Sequence, residues 1–505
     1  MNKSTKSLLL AALVALAPAA YAQAQLTDGV PETDPALITG STFNVDANNP
    51  VPTTFMGDTT GATISQVNVL DGGVLSSTNN NFDFTEININ SGGDTENSIN
   101  IQNAELNVLP GGSIGSLITV GTNSTLNVGS GVTDIGNNIT VAGTANINSG
   151  THSIAFESLQ GSTVNIGGTA DIDGSSNDFA GVVNISGDAQ ISGGTDFTTT
   201  SNATVSGGTF GNSIEFFGGV NIGGGTFGTN LDIEASATNA VISGGTFGGT
   251  VDLFAPTTVD GGDFGASADF EVGSAGSVIN GGTFGNNTDF FDGITINDGT
   301  FGTNQDIGNF SDTSAANANP DVTINGGTFL ELDVDSGVTD IFGGTFIGGG
   351  TGVALAAGAT RDNETQGTIN IHGGDIQGLI EGFGNINLFG TDFAVDGTSL
   401  AGLSSFDVNP NNPSVLLTGT LEDGNTISFE LNQGFNFIND DGTESQFPDA
   451  NEGLSLFGLF GEDGNTGGIL TAGGTTINFT AVPEPSSLSL LALGALGLIS
   501  RRRRS

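Results

Sequence analysis

Residues 220–235 read Val-Asn-Ile-Gly-Gly-Gly-Thr-Phe-Gly-Thr-Asn-Leu-Asp-Ile-Glu-Ala. Two short apolar-polar-apolar triplets, Val220-Asn221-Ile222 and Leu231-Asp232-Ile233, flank a glycine corner and a single phenylalanine. Alternation with a period of two is the mark of a strand with one buried face, so Val220, Ile222, Leu231 and Ile233 point inward. The glycines turn the chain where a Cβ would clash or φ must be positive. Phe227 points inward again, while Asn221 and Asp232 face solvent.

The same sentence recurs along the chain. The Gly-Gly-Thr-Phe signature places Phe210, Phe227, Phe247, Phe264, Phe284 and Phe301 alternately 17 and 20 residues apart, and Phe329 and Phe346 continue it after an insertion. Upstream, Asn127, Asn146, Asn165 and Asn184 recur every 19 residues within TLNVGSG, TANINSG, TVNIGGT and VVNISGD. Periods of this size mean stacked supersecondary units, and here the units are strands. The expectation is an all-β chain: a parallel β-helix, or β-solenoid, over residues 61–396. Like residues stack on like at about 4.8 Å, giving an inner phenylalanine ladder. Although glycine supplies 83 of 505 residues, so regular a Val/Ile/Phe spacing is not what a disordered chain produces.

The ends read differently. Lys3 and Lys6 precede an apolar stretch from Leu8 to Ala19, and Ala20-Tyr21-Ala22 offers a small-residue cleavage site before Gln23. Residues 1–22 therefore read as a secretory signal peptide, with Ala22-Gln23-Ala24 a competing site. Residues 23–60, with Pro31, Pro35, Pro50 and Pro52, suit an N-terminal cap. Near Gly397 the repeat fades: Val415–Leu421 and Thr426–Leu431 flank Glu422-Asp423-Gly424-Asn425, a turn signal between alternating strands. Residues 397–480 are expected to form a small β-rich C-terminal cap.

In the last residues Val482-Pro483-Glu484-Pro485 is followed by an apolar run from Leu488 to Ile499 and by Arg501, Arg502, Arg503 and Arg504. Over 482–505 this resembles the PEP-CTERM sorting signal of exported bacterial proteins. The resemblance implies recognition by an exosortase-like membrane protease or transpeptidase that removes the tail. The apolar run is short of the roughly 20 residues a stable spanning helix needs, so it reads as a terminal hydrophobic sorting helix and a transient membrane anchor. The arginines stay on the cytoplasmic side by the positive-inside rule. The expected destination is the cell surface or the extracellular space.

Composition narrows the functional classes. Of the 54 acidic residues only Glu484 lies in the tail; the remaining 53, set against Arg361 as the sole basic residue between signal peptide and tail, leave a net charge of −52. Such a surface repels phosphate, which excludes nucleic acid as a partner. The body has no Lys, Tyr, Trp or Cys. Disulfides are thereby ruled out, and lectin-like binding on exposed Tyr or Trp is disfavoured. The threonine column at Thr209, Thr226, Thr246 and Thr283 is interrupted by Asp263, so it reads as strand propensity and not as an ice-binding face.

Catalysis has little material. His152 and His372 are the only histidines and are expected to be solvated strand or turn residues. Arg361, His372 and Asp375 are the one combination that could serve a β-helical polysaccharide lyase or hydrolase, the alternative reading. The main reading is a structural surface or extracellular-matrix protein associated with biofilm or exopolysaccharide, without catalytic activity. No metal motif is present, and the nonapeptide calcium pattern is missing. The candidate for ion binding is a column of Glu215, Asp232, Asp252 and Glu271, one carboxylate per successive rung between two inward residues. Like charges so spaced either hold protons or gather cations such as Ca²⁺. A solvated acidic face that keeps the protein soluble is the simpler account.

Overall fold

The computed structural model describes residues 65–308, 320–348, 367–400 and 414–432, apart from short interruptions, together with isolated strand segments outside them. The signal peptide, most of the 23–60 cap, Arg361 and the sorting tail, where a terminal helix is expected, lie outside the described residues. Every described element is a strand or turn; among the described residues there is no helix. The strands pair in parallel with the next repeat along the chain, which is the hydrogen-bonding pattern of a β-solenoid. By contacts the chain forms two units, Met1–Gly219 and Val220–Ser505.

In the first unit the repeat found at Asn127 extends in both directions. Thr42–Val45 already pairs in parallel with Ser65–Val69, so the ladder begins ahead of residue 61. Inward columns run Leu106, Leu126, Ala145, Val164, Val183 and Ala203, and beside them Val108, Val128, Ile147, Ile166, Ile185 and Val205. All of these are essentially inaccessible to solvent. Between the two columns stands a row of asparagines joined side chain to side chain. Asn88 donates to Asn68 (3.1 Å), Asn107 to Asn88 (3.0 Å), Asn127 to Asn107 (2.8 Å), Asn146 to Asn127 (2.8 Å), Asn165 to Asn146 (2.7 Å) and Asn184 to Asn165 (2.7 Å). An amide has both a donor and an acceptor, so one per rung satisfies its neighbours above and below without limit. The 19-residue interval thus records an asparagine ladder.

A second aromatic column escaped the periodicity: Phe156, Phe179, Phe197 and Phe216 stack with centroid separations of 5.2, 5.3 and 4.4 Å. Their irregular sequence spacing hid them. His152 packs edge-on against Phe156 at 5.8 Å, and its side chain is fully buried. The expectation of a solvated His152 is therefore corrected. Its ring nitrogens each lie 3.0 Å from a backbone carbonyl, of Gly136 and of Ala155. Burial lowers its pKa despite those carbonyls, because desolvating an imidazolium outweighs their attraction.

The second unit carries the Gly-Gly-Thr-Phe rungs. Val220, Ile222, Phe227, Leu231 and Ile233 are all buried as the alternation requires, and Asn221 is exposed. Asp232 is only partly exposed. Phe227, Phe247, Phe264, Phe284, Phe301, Phe329 and Phe346 form one stack, with centroids 5.0, 4.7, 4.7, 4.7, 4.4 and 5.1 Å apart and rings within 11° of parallel. The two glycines of the signature have different duties. A Cβ on Gly244 would come within 2.7 Å of the Gly223 carbonyl oxygen of the rung below. Gly245 adopts φ +109, and its corner lies over the Phe247 ring. Neither position admits a side chain.

The turn at Glu422–Asn425 closes an antiparallel hairpin between Ser414–Leu421 and Thr426–Asn432, with Thr420 opposite Thr426. That hairpin covers the last rung, Gly390 facing Leu421, and Thr476–Ala481 adds a final parallel strand with Ile386 opposite Ile477.

Candidate functional site

Cross-rung pairing decides which carboxylates stand in line. In the second unit Asp232 faces Asp252, Asp252 faces Asp269, Asp289 faces Asp306, and Asp306 faces Asp333. Phe270 opposite Phe290 puts Asp269 next to Asp289. The column is therefore six aspartates on six successive rungs, each between two inward side chains, as in Leu231-Asp232-Ile233 and Leu332-Asp333-Val334. It ends where Asp333 meets Ala356.

Glu215, Asp232, Asp252 and Glu271 are distributed as follows. Asp232 and Asp252 are adjacent members of the column. Glu271 is two residues past Asp269, on the flank, because Ala268 and not Phe270 pairs with Val251. Glu215 belongs to a column in the first unit, Glu157, Asp178, Asp196 and Glu215. The aspartates at 269, 289, 306 and 333 were missed, although each sits in the same acid-between-inward-residues triplet that marked Asp232.

Electrostatics follow from this geometry. Burial, and then the neighbouring carboxylates Asp232, Asp269 and Glu271, push Asp252 up to about 6. Burial with Asp269, Asp306 and Glu271 pushes Asp289 up to about 7. Burial with Asp335 and Glu331 raises Asp306 to about 6, and burial with Asp289 raises Asp335 to about 6. Asp232, Asp269 and Glu271 are raised as well, chiefly by burial. Ser267 offsets part of this at Asp269 by donating a 2.6 Å hydrogen bond to Oδ1. Among the described residues no group of three or more His, Cys, Asp or Glu side chains is placed to hold a metal ion. The carboxylates follow a line, whereas Ca²⁺ takes six to eight oxygens around one point.

His372 and Asp375 are both described but engaged elsewhere. The His372 ring lies between Phe342 and Phe389, with centroids 4.5 and 4.0 Å away, and its Nδ1 is 2.6 Å from Oε2 of Glu422 at the hairpin turn. Next to it Gly374 N–H donates to Asp423 Oδ2 at 2.7 Å, so the turn is docked on this rung by two carboxylates. Asp375 accepts from Gln377 Nε2 at 2.7 Å. The threonine column is in register across Thr226, Thr246, Asp263, Thr283, Thr300, Thr328 and Thr345, with the aspartate interruption in place.

Neither a curated protein nor a solved structure matches this chain. The family model described as the PEP-CTERM protein-sorting motif matches residues 481–504, beginning at the last residue of the strand Thr476–Ala481. A motif of this kind implies an exported protein that an exosortase sorts. The chain is thus a β-solenoid whose C-terminal tail is a PEP-CTERM protein-sorting motif.

Proposed function

We propose that the protein is a structural component of the cell surface or extracellular matrix, displayed after sorting, associated with exopolysaccharide, and without catalytic activity. The observation that carries this reading is the outer face of the rungs. Asparagine, threonine and aspartate each repeat in register over many rungs, so the described residues offer repeated polar groups along a line. Columns of amides and hydroxyls at about 4.8 Å can hydrogen-bond a polymer along its length. The net charge of −52 favours a neutral polymer over an acidic one. The signal peptide at 1–22 and exosortase processing of the tail supply the route.

The test uses the purified chain with panels of neutral and acidic polysaccharides. Retention of a neutral polymer with no new reducing or unsaturated ends is the expected result. Chain cleavage that disappears in His372→Ala would establish the lyase or hydrolase alternative and overturn the structural reading.

A further inference from the structure

We propose that the aspartate column Asp232, Asp252, Asp269, Asp289, Asp306 and Asp333 is a proton-sharing ladder that tightens the stacked rungs in mildly acidic surroundings and loosens them as the pH rises. Its basis is the register. Six aspartates stand on consecutive rungs whose strands are about 4.8 Å apart, close enough for repulsion between ionised neighbours and for a water to bridge a protonated carboxyl to an ionised one. The backbone pairing that makes the solenoid holds the aspartate Cα atoms at this spacing, so the column cannot lengthen without unzipping rungs.

Among the described residues the charges that bear on Asp232, Asp252, Asp289 and Asp306 are themselves carboxylates. Glu234 acts on Asp232; Glu271 on Asp252 and Asp289; Asp335 and Glu331 on Asp306. Neutral donors at Asp269 are the Ser267 hydroxyl and the backbone N–H of Asp289. Among the described residues of this unit the one group able to carry positive charge is His372, which is held between two phenylalanines against Glu422. Among the described residues no cation stands against Asp252, Asp269, Asp289 or Asp306, and protons are the neutralising species there. Burial adds to this, and the raised values at Asp252, Asp289 and Asp306 lie between about 6 and about 7.

The sign follows. A carboxyl whose folded pKa is above its unfolded value binds more protons in the folded state. Its contribution is fully present below the ordinary aspartate range and is lost as pH rises through the folded values. Unfolding near pH 6 therefore releases protons to the solvent, and deprotonation weakens the fold. His152 works oppositely: its folded pKa is lowered, so its contribution is present above the ordinary histidine range and lost as pH falls. Comparison between variants cancels that term.

The experiment measures the melting temperature of the full chain between pH 4.5 and 8.5 at constant ionic strength. The comparison is with Asp289→Asn/Asp306→Asn in the column and with Asp188→Asn/Asp263→Asn at exposed positions, which makes the same change in charge. Two further readouts are proton release on unfolding in weak buffer at pH 6.5 and the infrared carbonyl band of protonated carboxyl groups. The ladder requires the wild type to lose stability as pH rises through 5.5 to 7.5. It requires the column variant to reduce that slope and to weaken the protonated-carboxyl band, Asp252 and Asp335 supplying what remains, and the exposed pair to leave both unchanged. A melting temperature that is level or rising across this window, or equal slopes in the two double variants, overturns the proposal. If the column variant does not fold, the wild-type band and proton release still decide: their absence at pH 6.5 overturns it.

Discussion

Phe247→Ala removes the centre of a ring stack. Phe247 is 1 % exposed and lies between Phe227 at 5.0 Å and Phe264 at 4.7 Å, each ring within 11° of parallel. Truncating a buried phenylalanine costs about 3–5 kcal/mol through lost burial and the cavity left behind. The upper half of that range is expected here, because two stacking contacts worth about 0.5–1.5 kcal/mol each are lost together. Relaxation is limited as well, since the glycine corners of the neighbouring rungs have no side chains to fill the space. Thr246→Ala, one residue away but exposed, should cost no more than about 0.5 kcal/mol.

In a stacked array the damage concentrates on the rungs that share the defect, so a global melt understates it. Amide exchange is the better assay. A loss of about 4 kcal/mol corresponds to roughly a thousandfold faster exchange for amides limited by opening of those rungs. The affected strands should be Ala240–Phe247, Thr257–Phe264 and Thr226–Phe227, with strands of the first unit such as Thr163–Ile172 unchanged. Equal exchange and equal melting in the Phe247 and Thr246 variants would refute the idea that the ring stack drives the fold.

Asn146→Ala should cost about 1–3 kcal/mol, because the 2.8 Å bond to Asn127 and the 2.7 Å bond from Asn165 are both removed and each partner keeps one unsatisfied group; chemical denaturation of the first unit measures it. Glu422→Gln should loosen the hairpin at residues 414–432 by weakening the contact to His372, seen as faster proteolysis or exchange there with the Phe247 rungs unaffected. Intact-mass analysis of surface-released protein should lack Arg501 to Arg504; a mature protein that keeps them would show that the sorting motif is not processed.

Much of this molecule is written in its sequence because a solenoid repeats one local problem. Alternation around Asn221 and Asp232, two glycines at each corner and a phenylalanine per turn are decided within about ten residues, and burial of Val220, Ile222, Phe227, Leu231 and Ile233 follows. The hairpin at Glu422–Asn425 is likewise local: Gly424 supplies the positive φ its turn needs. Residues 481–504 were legible for another reason, since a sorting signal is read as a linear string.

What required the tertiary structure was the alignment of one rung on the next. Alternation is unchanged by a shift of two residues, so in Ala268-Asp269-Phe270-Glu271-Val272 either acid satisfies the pattern. Pairing of Ala268 with Val251 selects Asp269 and moves Glu271 to the flank. Loops of unequal length between rungs hide the same information at Phe156 and Phe179. The neighbour that matters to His152 is the carbonyl of Gly136 sixteen residues away, and that of His372 is Glu422 fifty residues away. Local periodicity determines which side of the strand a residue occupies; only cross-rung hydrogen bonding determines what it stands against, and both the asparagine ladder and the six-aspartate column are consequences of that second choice.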